Sequence, residues 1–172
     1  GLAVASAGGC GSSLRDAQLA FRAGDPGAAA SMLEAEVPPR EGDPDAVILW
    51  LEMGSALHAI GAFGPSVEAL RRAEARMEAL EAQPETRLTE EAFVAMTNPE
   101  ELAYRGTTND RIMAATYRGL GHLMVGEAAA ARPAFVEASF HQERAADRIG
   151  RGRELAQRAA GHRLPGVLFT PV

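Results

Sequence analysis

The stretch WLEMGSALHAIGAFGPSVEALRRA, residues Trp50–Ala73, predicts two helices joined by a tight turn. Before the turn, apolar side chains follow the spacing of one helix face: Leu49, Trp50, Met53 and Leu57. Gly61 ends this helix, because a left-handed C-cap favours a residue without Cβ. Pro65 lies near the start of the next helix, where its missing N–H costs nothing. That helix has an apolar face of its own: Val67, Leu70 and Ala73. Helices joined this closely pack antiparallel, and one such pair cannot bury both of its faces alone.

Weaker copies of this pattern occur on both sides when the chain is aligned on the turn glycine. Upstream the turn is Gly24, and the matching positions are Ala17, Ala29 and Leu33. Downstream the turn is Gly126, and the matching positions are Gly119, Ala131, Phe135 and Ala138. We expect Gly54 and Gly119 to lie where one helix backbone approaches its partner, which offsets the cost of about 1 kcal/mol for a helical glycine. The downstream step is nearly two repeats long, so a segment near residues 83–108 replaces a degenerate repeat or is inserted into the array.

The order and spacing of these landmarks resemble a tetratricopeptide repeat, a helix–turn–helix unit of about 34 residues. The residues that carry the resemblance are Trp50, Gly54, Leu57, Gly61, Phe63, Ser66, Leu70 and Ala73. It implies an all-α fold, a short irregular array of antiparallel helix pairs forming a tetratricopeptide-like, right-handed solenoid. Aromatic residues make up only 5% of the chain, a composition that favours close-packed helices over a β-sandwich. We expect the helical domain to span residues 11–163 and a C-terminal tail to span 164–172.

The first ten residues, GLAVASAGGC, resemble the end of a bacterial lipoprotein signal peptide, in which small residues precede a lipid-modified Cys. Residues 1–10 are then a truncated signal segment, and Cys10 is the lipidation site. Two features depart from the pattern, since Ala7 replaces a larger aliphatic residue and no Arg or Lys precedes the apolar stretch. Gly11 and Ser12 follow Cys10 without an Asp, and this pattern resembles that of lipoproteins sorted to the outer membrane. The alternative is a flexible start with an incidental thiol.

A second resemblance, from Trp50 through Arg144, is to a family of uncharacterised bacterial lipoproteins with tetratricopeptide-like helices. It rests on GAFGPS at residues 61–66, Ala73-Glu74, Tyr104-Arg105-Gly106, Tyr117, Gly126 and Val136-Glu137. The family usually carries a Glu after the Tyr-x-Gly and an Arg pair after the Val-Glu. This chain has Asn109-Asp110 and Ser139-Phe140 near those places. Because the family has no established chemistry, the resemblance implies a cellular location rather than an activity.

Composition argues against other classes of function. The net charge of −6 argues against a general polyanion binder, so we expect no nucleic-acid partner. No apolar run approaches the roughly 18 residues of a membrane-spanning helix. The single cysteine rules out an intramolecular disulfide framework.

The sequence contains no motif of an enzyme or a metal site. Its histidines form no His-Glu-x-x-His pattern and have no Cys partner at zinc spacing: His58, His122, His141 and His162. Gly-x-Ser-x-Gly, the Walker loop and Gly-x-Gly-x-x-Gly are absent as well. We therefore expect no catalytic residue, no metal and no cofactor.

Charged residues form two patterns on the predicted helices. Acidic and basic side chains alternate after the turn in a manner typical of a solvated, ion-paired surface: Glu68, Glu74, Glu78 and Glu81 with Arg71, Arg72 and Arg76. The Arg-rich stretch at residues 144–163 predicts a polar helix, broken near Gly150-Arg151-Gly152, that covers the last apolar face. The alternative for this stretch is contact with an acidic partner, phospholipid head groups or nucleic acid.

In such arrays the first helix of each pair lines a concave groove. The groove predicted here consists of Gln18, Arg22, Leu51, Ser55, His58, Ala59, Thr116, Leu120, Leu123 and Met124. Its mixed apolar and polar character suits a peptide or a partner helix. The alternative is that the middle insertion packs into the groove and fills it.

These observations predict a non-enzymatic lipoprotein, anchored to the membrane through Cys10, that serves as a scaffold or adaptor for a protein or peptide partner. Its expected location is the bacterial cell envelope, on the outer membrane and facing the periplasm. Two alternatives remain open. One is a soluble cytoplasmic repeat adaptor, and the other is an envelope enzyme accessory with His58 and His122 in a site.

Overall fold

A computed structural model describes residues 10–39, 43–82 and 103–161, and these residues form six α-helices and no strand. The helices are α1 (Cys10–Arg22), α2 (Pro26–Glu34), α3 (Ala46–Ala59), α4 (Phe63–Glu81), α5 (Thr108–Met124) and α6 (Ala128–Gly161). The predicted all-α class is confirmed for this part of the chain. Residues 1–9 of the expected signal segment, most of the expected insertion and the whole tail lie outside the described residues.

Three turns of the same geometry divide the helices into pairs. Each turn has one glycine in the left-handed region, with φ of +86°, +79° and +82° at Gly24, Gly61 and Gly126. After each glycine a backbone N–H donates to a carbonyl five residues back: Asp25 to Ala20 at 3.0 Å, Ala62 to Leu57 at 2.9 Å and Glu127 to His122 at 2.8 Å. This bond belongs to the Schellman motif, which satisfies carbonyls at the end of a helix. The prediction that Gly61 ends its helix is confirmed.

Each helix packs mainly against its neighbours in sequence, and α3 also touches α1 and α5. The largest apolar cluster joins the first two pairs through small and aliphatic side chains: Ala17, Ala29, Ala30, Leu33, Leu49, Met53, Ala56 and Ala69. A second cluster lies where α3 and α4 meet Ala103 and Tyr104. It contains Val47, Ala73, Met77 and Leu80. Burial of these faces is the main favourable contribution to the fold.

Two glycines lie at close contacts between the helices of one pair. A Cβ on Gly54 would lie 2.6 Å from Leu70 Cδ2, and a Cβ on Gly119 would lie 2.7 Å from Phe135 Cε1. Ser66 Oγ crosses the first of these contacts and donates to the Gly54 carbonyl at 2.8 Å. Gly54 and Gly119 therefore lie at close helix approaches, as the repeat alignment predicts.

Helix boundaries differ from the expected ones at three places. Helix α6 continues without a break through Gly150-Arg151-Gly152, because a glycine costs only about 1 kcal/mol in a helix. Helix α1 begins at Cys10, one residue before the expected start of the helical domain. Helix α5 begins at Thr108, where Thr107 and Asp110 form a capping box.

Candidate functional site

Two clefts lie along the face formed by α1, α3 and α5, and they share Ile48. The cleft between α1 and α3 is lined by Leu14, Arg15, Gln18, Leu19, Arg22 and Ile48. The cleft between α3 and α5 has a volume of about 270 Å³. Its lining residues are Ile48, Leu51, Glu52, Ser55, Leu70, Tyr104, Asp110, Met113, Ala114 and Tyr117. We call these two clefts together the A-face.

A hydrogen bond joins the two clefts across the helices. Gln18 Nε2 on α1 donates to Glu52 Oε1 on α3 at 2.8 Å. Ser55 on the next turn bonds only within its own helix, where Oγ donates to the Leu51 carbonyl at 2.9 Å. The A-face therefore presents a polar centre between aliphatic side chains.

Tyr104 forms one wall of the α3–α5 cleft. Its backbone N–H donates to the Pro44 carbonyl at 2.8 Å, and its Oη donates to Asp110 Oδ2 at 2.6 Å. Burial and this hydrogen bond raise the pKa of Tyr104 to about 12. Burial opposes the charge on Asp110, but the hydrogen bonds from Tyr104 and Thr107 outweigh it, and the pKa of Asp110 is lowered. At neutral pH the pair is a neutral phenol held by a carboxylate, an arrangement suited to structure rather than proton transfer.

His58 occupies a mainly aromatic environment at the edge of this face. Its ring lies 5.1 Å from the Phe63 ring and 4.9 Å from the Tyr117 ring, centroid to centroid. Its buried Nδ1 has no hydrogen-bond partner. Burial lowers the pKa of His58, so the imidazole is neutral at pH 7. His122 lies elsewhere, where its Nδ1 is 2.8 Å from Glu127 Oε2.

The structure brings together only part of the predicted groove. Four of its residues line the A-face clefts: Gln18, Arg22, Leu51 and Ser55. On α5 the residues that line the cleft are Met113, Ala114 and Tyr117. They lie roughly a quarter turn round the helix from the predicted positions, at 3.6 residues per turn. Leu123 instead lines a cleft with α6. The remaining predicted residues line neither A-face cleft: His58, Ala59, Thr116, Leu120 and Met124.

The described end of the inserted segment bears on the alternative that this segment packs into the groove. Ala103 and Tyr104, at the end of that segment, pack against the core and against the α3–α5 cleft. Periodicity did not identify Tyr104 as a lining residue, because it lies in a loop between helices. The Tyr-Arg-Gly motif was the one available signal.

A buried charge cluster between α4, α5 and α6 was not predicted. Arg118 on α5 lies between two carboxylates, with Nε 2.9 Å from Glu74 Oε2 and Nη2 in contact with Glu137 Oε2. Glu74 is only 9% exposed, and its Oε1 has no hydrogen-bond partner. Burial raises the pKa of Glu74 to about 7, against the lowering effect of Arg118.

The prediction of a uniformly solvated α4 surface is therefore wrong at Glu74. It holds at Glu68, which pairs with Arg71 and Arg72 in solvent. Hydrogen bonds from these two arginines lower the pKa of Glu68 to about 2. Glu68 and Glu74 lie on different sides of α4, and the side that carries Glu74 faces α5.

The described residues contain no group of three or more His, Cys, Asp and Glu side chains placed to hold a metal ion. Within the same ranges, no helix has the length and apolarity needed to cross a membrane. No protein-family model matches the chain, and neither a curated protein nor a solved structure matches it. The two family resemblances therefore rest on the residues that carry them.

Proposed function

We propose that the chain is a non-enzymatic scaffold or adaptor that binds a peptide or helix of a partner protein along the A-face. The supporting observation is that the α1–α3 and α3–α5 clefts share Ile48 and so form one continuous surface over three helices. In this proposal the three glycine-turned pairs form a short, tetratricopeptide-like, right-handed array. The A-face is its concave side.

The chemistry of the A-face suits an amphipathic segment. Leu51 and Met113 supply apolar contact in one cleft, and Leu14 and Leu19 supply it in the other. The Gln18–Glu52 pair between them offers donors and acceptors to a peptide backbone. Such a surface anchors apolar side chains at intervals and fixes their register by a central polar contact.

The A-face proposal can be tested by capture of partners on the purified chain, followed by charge insertion. Ile48→Glu and Ser55→Arg should each remove the captured partner, because the first places a charge where the two clefts join and the second places one in the α3–α5 cleft. Met32→Glu is the matched control, since Met32 is an exposed apolar residue on α2 and lies outside the A-face clefts. Circular dichroism would verify that all three variants are folded. Equal loss in the Met32 control, or retention in both A-face variants, would contradict the proposal.

The proposed location is the bacterial cell envelope, on the outer membrane and facing the periplasm, with a lipid anchor on Cys10. It is supported by the small residues that precede Cys10 and by the absence of Asp after it. Palmitate labelling of the chain expressed with its natural upstream sequence should be lost in Cys10→Ser, together with membrane association. Unchanged fractionation would favour the alternative, a soluble cytoplasmic adaptor.

The second alternative is an accessory role in an envelope enzyme, with His58 and His122 in a site. The ring contacts of His58 with Phe63 and Tyr117, and the buried Nδ1 that has no hydrogen-bond partner, give this alternative little support. If it were correct, His58→Phe would remove function while the packing with Phe63 and Tyr117 is kept. We expect the adaptor to retain its partner in that variant.

A further inference from the structure

Arginines from three parts of the chain meet in a pocket at the end of α4. Arg105 comes from the loop before α5, Arg111 from α5, and Arg144 and Arg148 from α6. The pocket has a volume of about 240 Å³, and Glu81 is the one carboxylate among the described residues that line it. The chain as a whole carries a net charge of −6, so this is a local reversal of its electrostatic character. We call it the arginine pocket.

Two of the arginines are fixed by the end of α4. Arg105 Nη1 donates to the Leu80 carbonyl at 2.9 Å, and Arg111 Nη2 lies 3.2 Å from Glu81 Oε2. The carbonyls in the last turn of a helix have no partner within it, so the bond from Arg105 to Leu80 also stabilises the helix end. The Glu81 carboxylate is already paired and mostly exposed, so it neutralises one guanidinium at most.

The other two arginines are placed from α6. The Arg144 guanidinium lies 5.5 Å from the centre of the Phe140 ring, and Arg148 Nη2 donates to Thr108 Oγ1. A guanidinium has five N–H donors in a planar fork, so a contact to its face or to one donor leaves others for an anion. Both side chains belong to exposed residues and are reachable from solvent.

We propose that the arginine pocket binds a phosphate group, either as inorganic phosphate or as a phosphomonoester on a small molecule or lipid head group. Arg144 and Arg148 are its direct ligands, and Arg105 and Arg111 line the pocket beside them. Planar guanidinium forks match the oxygens of phosphate bidentately. The double charge of a phosphomonoester matches the two guanidinium groups of Arg144 and Arg148. The A-face is not involved, so this inference is independent of the adaptor proposal.

The test is isothermal titration of the purified chain with sodium phosphate at constant ionic strength, set by chloride. We expect saturable binding at one site per chain. Arg144→Gln/Arg148→Gln should raise the dissociation constant by about tenfold or more, because charge-assisted hydrogen bonds are lost. Arg151→Gln/Arg153→Gln is the matched control, with the same charge change on exposed residues of the same helix, and should shift it by less than about twofold.

Vesicle sedimentation distinguishes the sources of the phosphate. Binding to phosphatidic acid but not phosphatidylcholine vesicles, lost in Arg144→Gln/Arg148→Gln, would identify a lipid head group. Binding of free phosphate alone would identify a soluble ligand. No measurable binding of either, or equal loss in both double variants, would overturn the proposal.

A different surface carries a second inference. The outward side of α6 exposes Val136 and Phe140, which are 62% and 53% exposed, in a groove flanked by Arg132 and Glu143. The four residues follow helical spacing and therefore lie on one stripe. The stripe has a basic end, an apolar middle and an acidic end.

We infer that this stripe pairs with the same stripe of a second copy of the chain. Two α6 helices packed antiparallel about a two-fold axis bring Arg132 of each copy opposite Glu143 of the other. Val136 and Phe140 then meet near the axis. A two-fold interface uses the same patch twice, so it requires a self-complementary patch of this kind.

A charge-reversal cycle, followed by analytical ultracentrifugation, tests this pairing. Arg132→Glu and Glu143→Arg should each raise the dimer dissociation constant by about tenfold, because like charges then face each other. The double reversal should restore dimerisation. Within one chain the two residues are about 16 Å apart along the helix, at a rise of about 1.5 Å per residue, so only an intermolecular pair can produce rescue. A monomeric wild-type chain, or a double reversal without rescue, would overturn the inference.

Discussion

The interface that joins the first two helix pairs and the interface that joins the last two bury different chemistry. The first is filled by alanines, leucines and Met53. Ser66 supplies a buried polar side chain within the second pair, between α3 and α4. The second interface places Gly121 against Val67 and encloses Arg118 between Glu74 and Glu137. An apolar interface loses stability in proportion to the atoms removed from it. A buried ion cluster depends on every member, because removing one leaves an uncompensated charge.

Of the changes considered for these two interfaces, removal of Arg118 should lower the free energy of unfolding most. Arg118→Ala leaves Glu74 and Glu137 facing each other without a cation, and we expect a loss of about 3–5 kcal/mol in the free energy of unfolding. Urea denaturation measures it. Arg72→Ala is the control, an exposed arginine that pairs with Glu68 and should cost about 1 kcal/mol or less. Similar losses for the two arginines would show that the cluster is not dependent on its cation.

The second largest effect is expected in the pH dependence of the free energy of unfolding, which should distinguish the two interfaces. Because the pKa of Glu74 is raised to about 7 in the folded chain, the folded state binds more protons than the unfolded state between about pH 4.5 and 7. The contribution of Glu74 is therefore favourable at low pH and is lost as the pH rises through 7.

Relative to Glu74→Gln, the wild type should lose up to about 3 kcal/mol between pH 5 and pH 8, at about 1.4 kcal/mol per pKa unit. Urea denaturation of both proteins at several pH values measures the difference. Ser66→Ala serves as a reference, since it carries no titratable group. Parallel pH profiles for the wild type and Glu74→Gln would contradict the raised pKa.

Adding a methyl group at the two close-approach glycines compares the helix contact within the middle pair with the helix contact within the last pair. Gly54→Ala directs a Cβ at Leu70, which is fully buried, and we expect a loss of about 2 kcal/mol. Gly119→Ala directs a Cβ at the edge of the Phe135 ring, which is only partly buried and can shift. A smaller loss of about 1 kcal/mol is expected there. Thermal unfolding of both variants checks the order, and a reversed order would contradict it.

The smallest effect is expected at Ser66. Ser66→Ala removes the hydrogen bond to the Gly54 carbonyl, at a cost of about 1 kcal/mol, and leaves the apolar packing intact. Equilibrium unfolding in urea measures this, with Ser55→Ala as a control at a half-buried hydroxyl that bonds within its own helix. A loss above that of Gly54→Ala would mean that this hydroxyl, and not the close approach, holds the pair together.

The apolar half of the fold was largely predictable from sequence. Trp50, Gly54 and Gly61 carry a local pattern, since helix periodicity and a turn glycine act over a few residues. The buried cluster was not predictable. Whether Glu74 points to solvent or to Arg118 depends on how α5 crosses α4, which local spacing does not encode.

The candidate site was predictable only in part, and for the same reason. Leu51 and Ser55 of the predicted groove line the α3–α5 cleft, and they lie on the helix with the strongest pattern. On α5 the repeat alignment selects residues about a quarter turn away from the cleft, because local spacing does not encode how that helix is rotated against α3. The convergence of Arg105, Arg111, Arg144 and Arg148 requires a loop and two helices to meet, and no segment of sequence contains it.

The length of α6 has a mechanical consequence. Arg148 contacts Thr108 at the start of α5, so the helix beyond it has no α5 residue alongside. At a rise of about 1.5 Å per residue, this end projects roughly 20 Å. A displacement of this end would move Arg144 and Arg148, which lie on the same helix, and would therefore alter the arginine pocket.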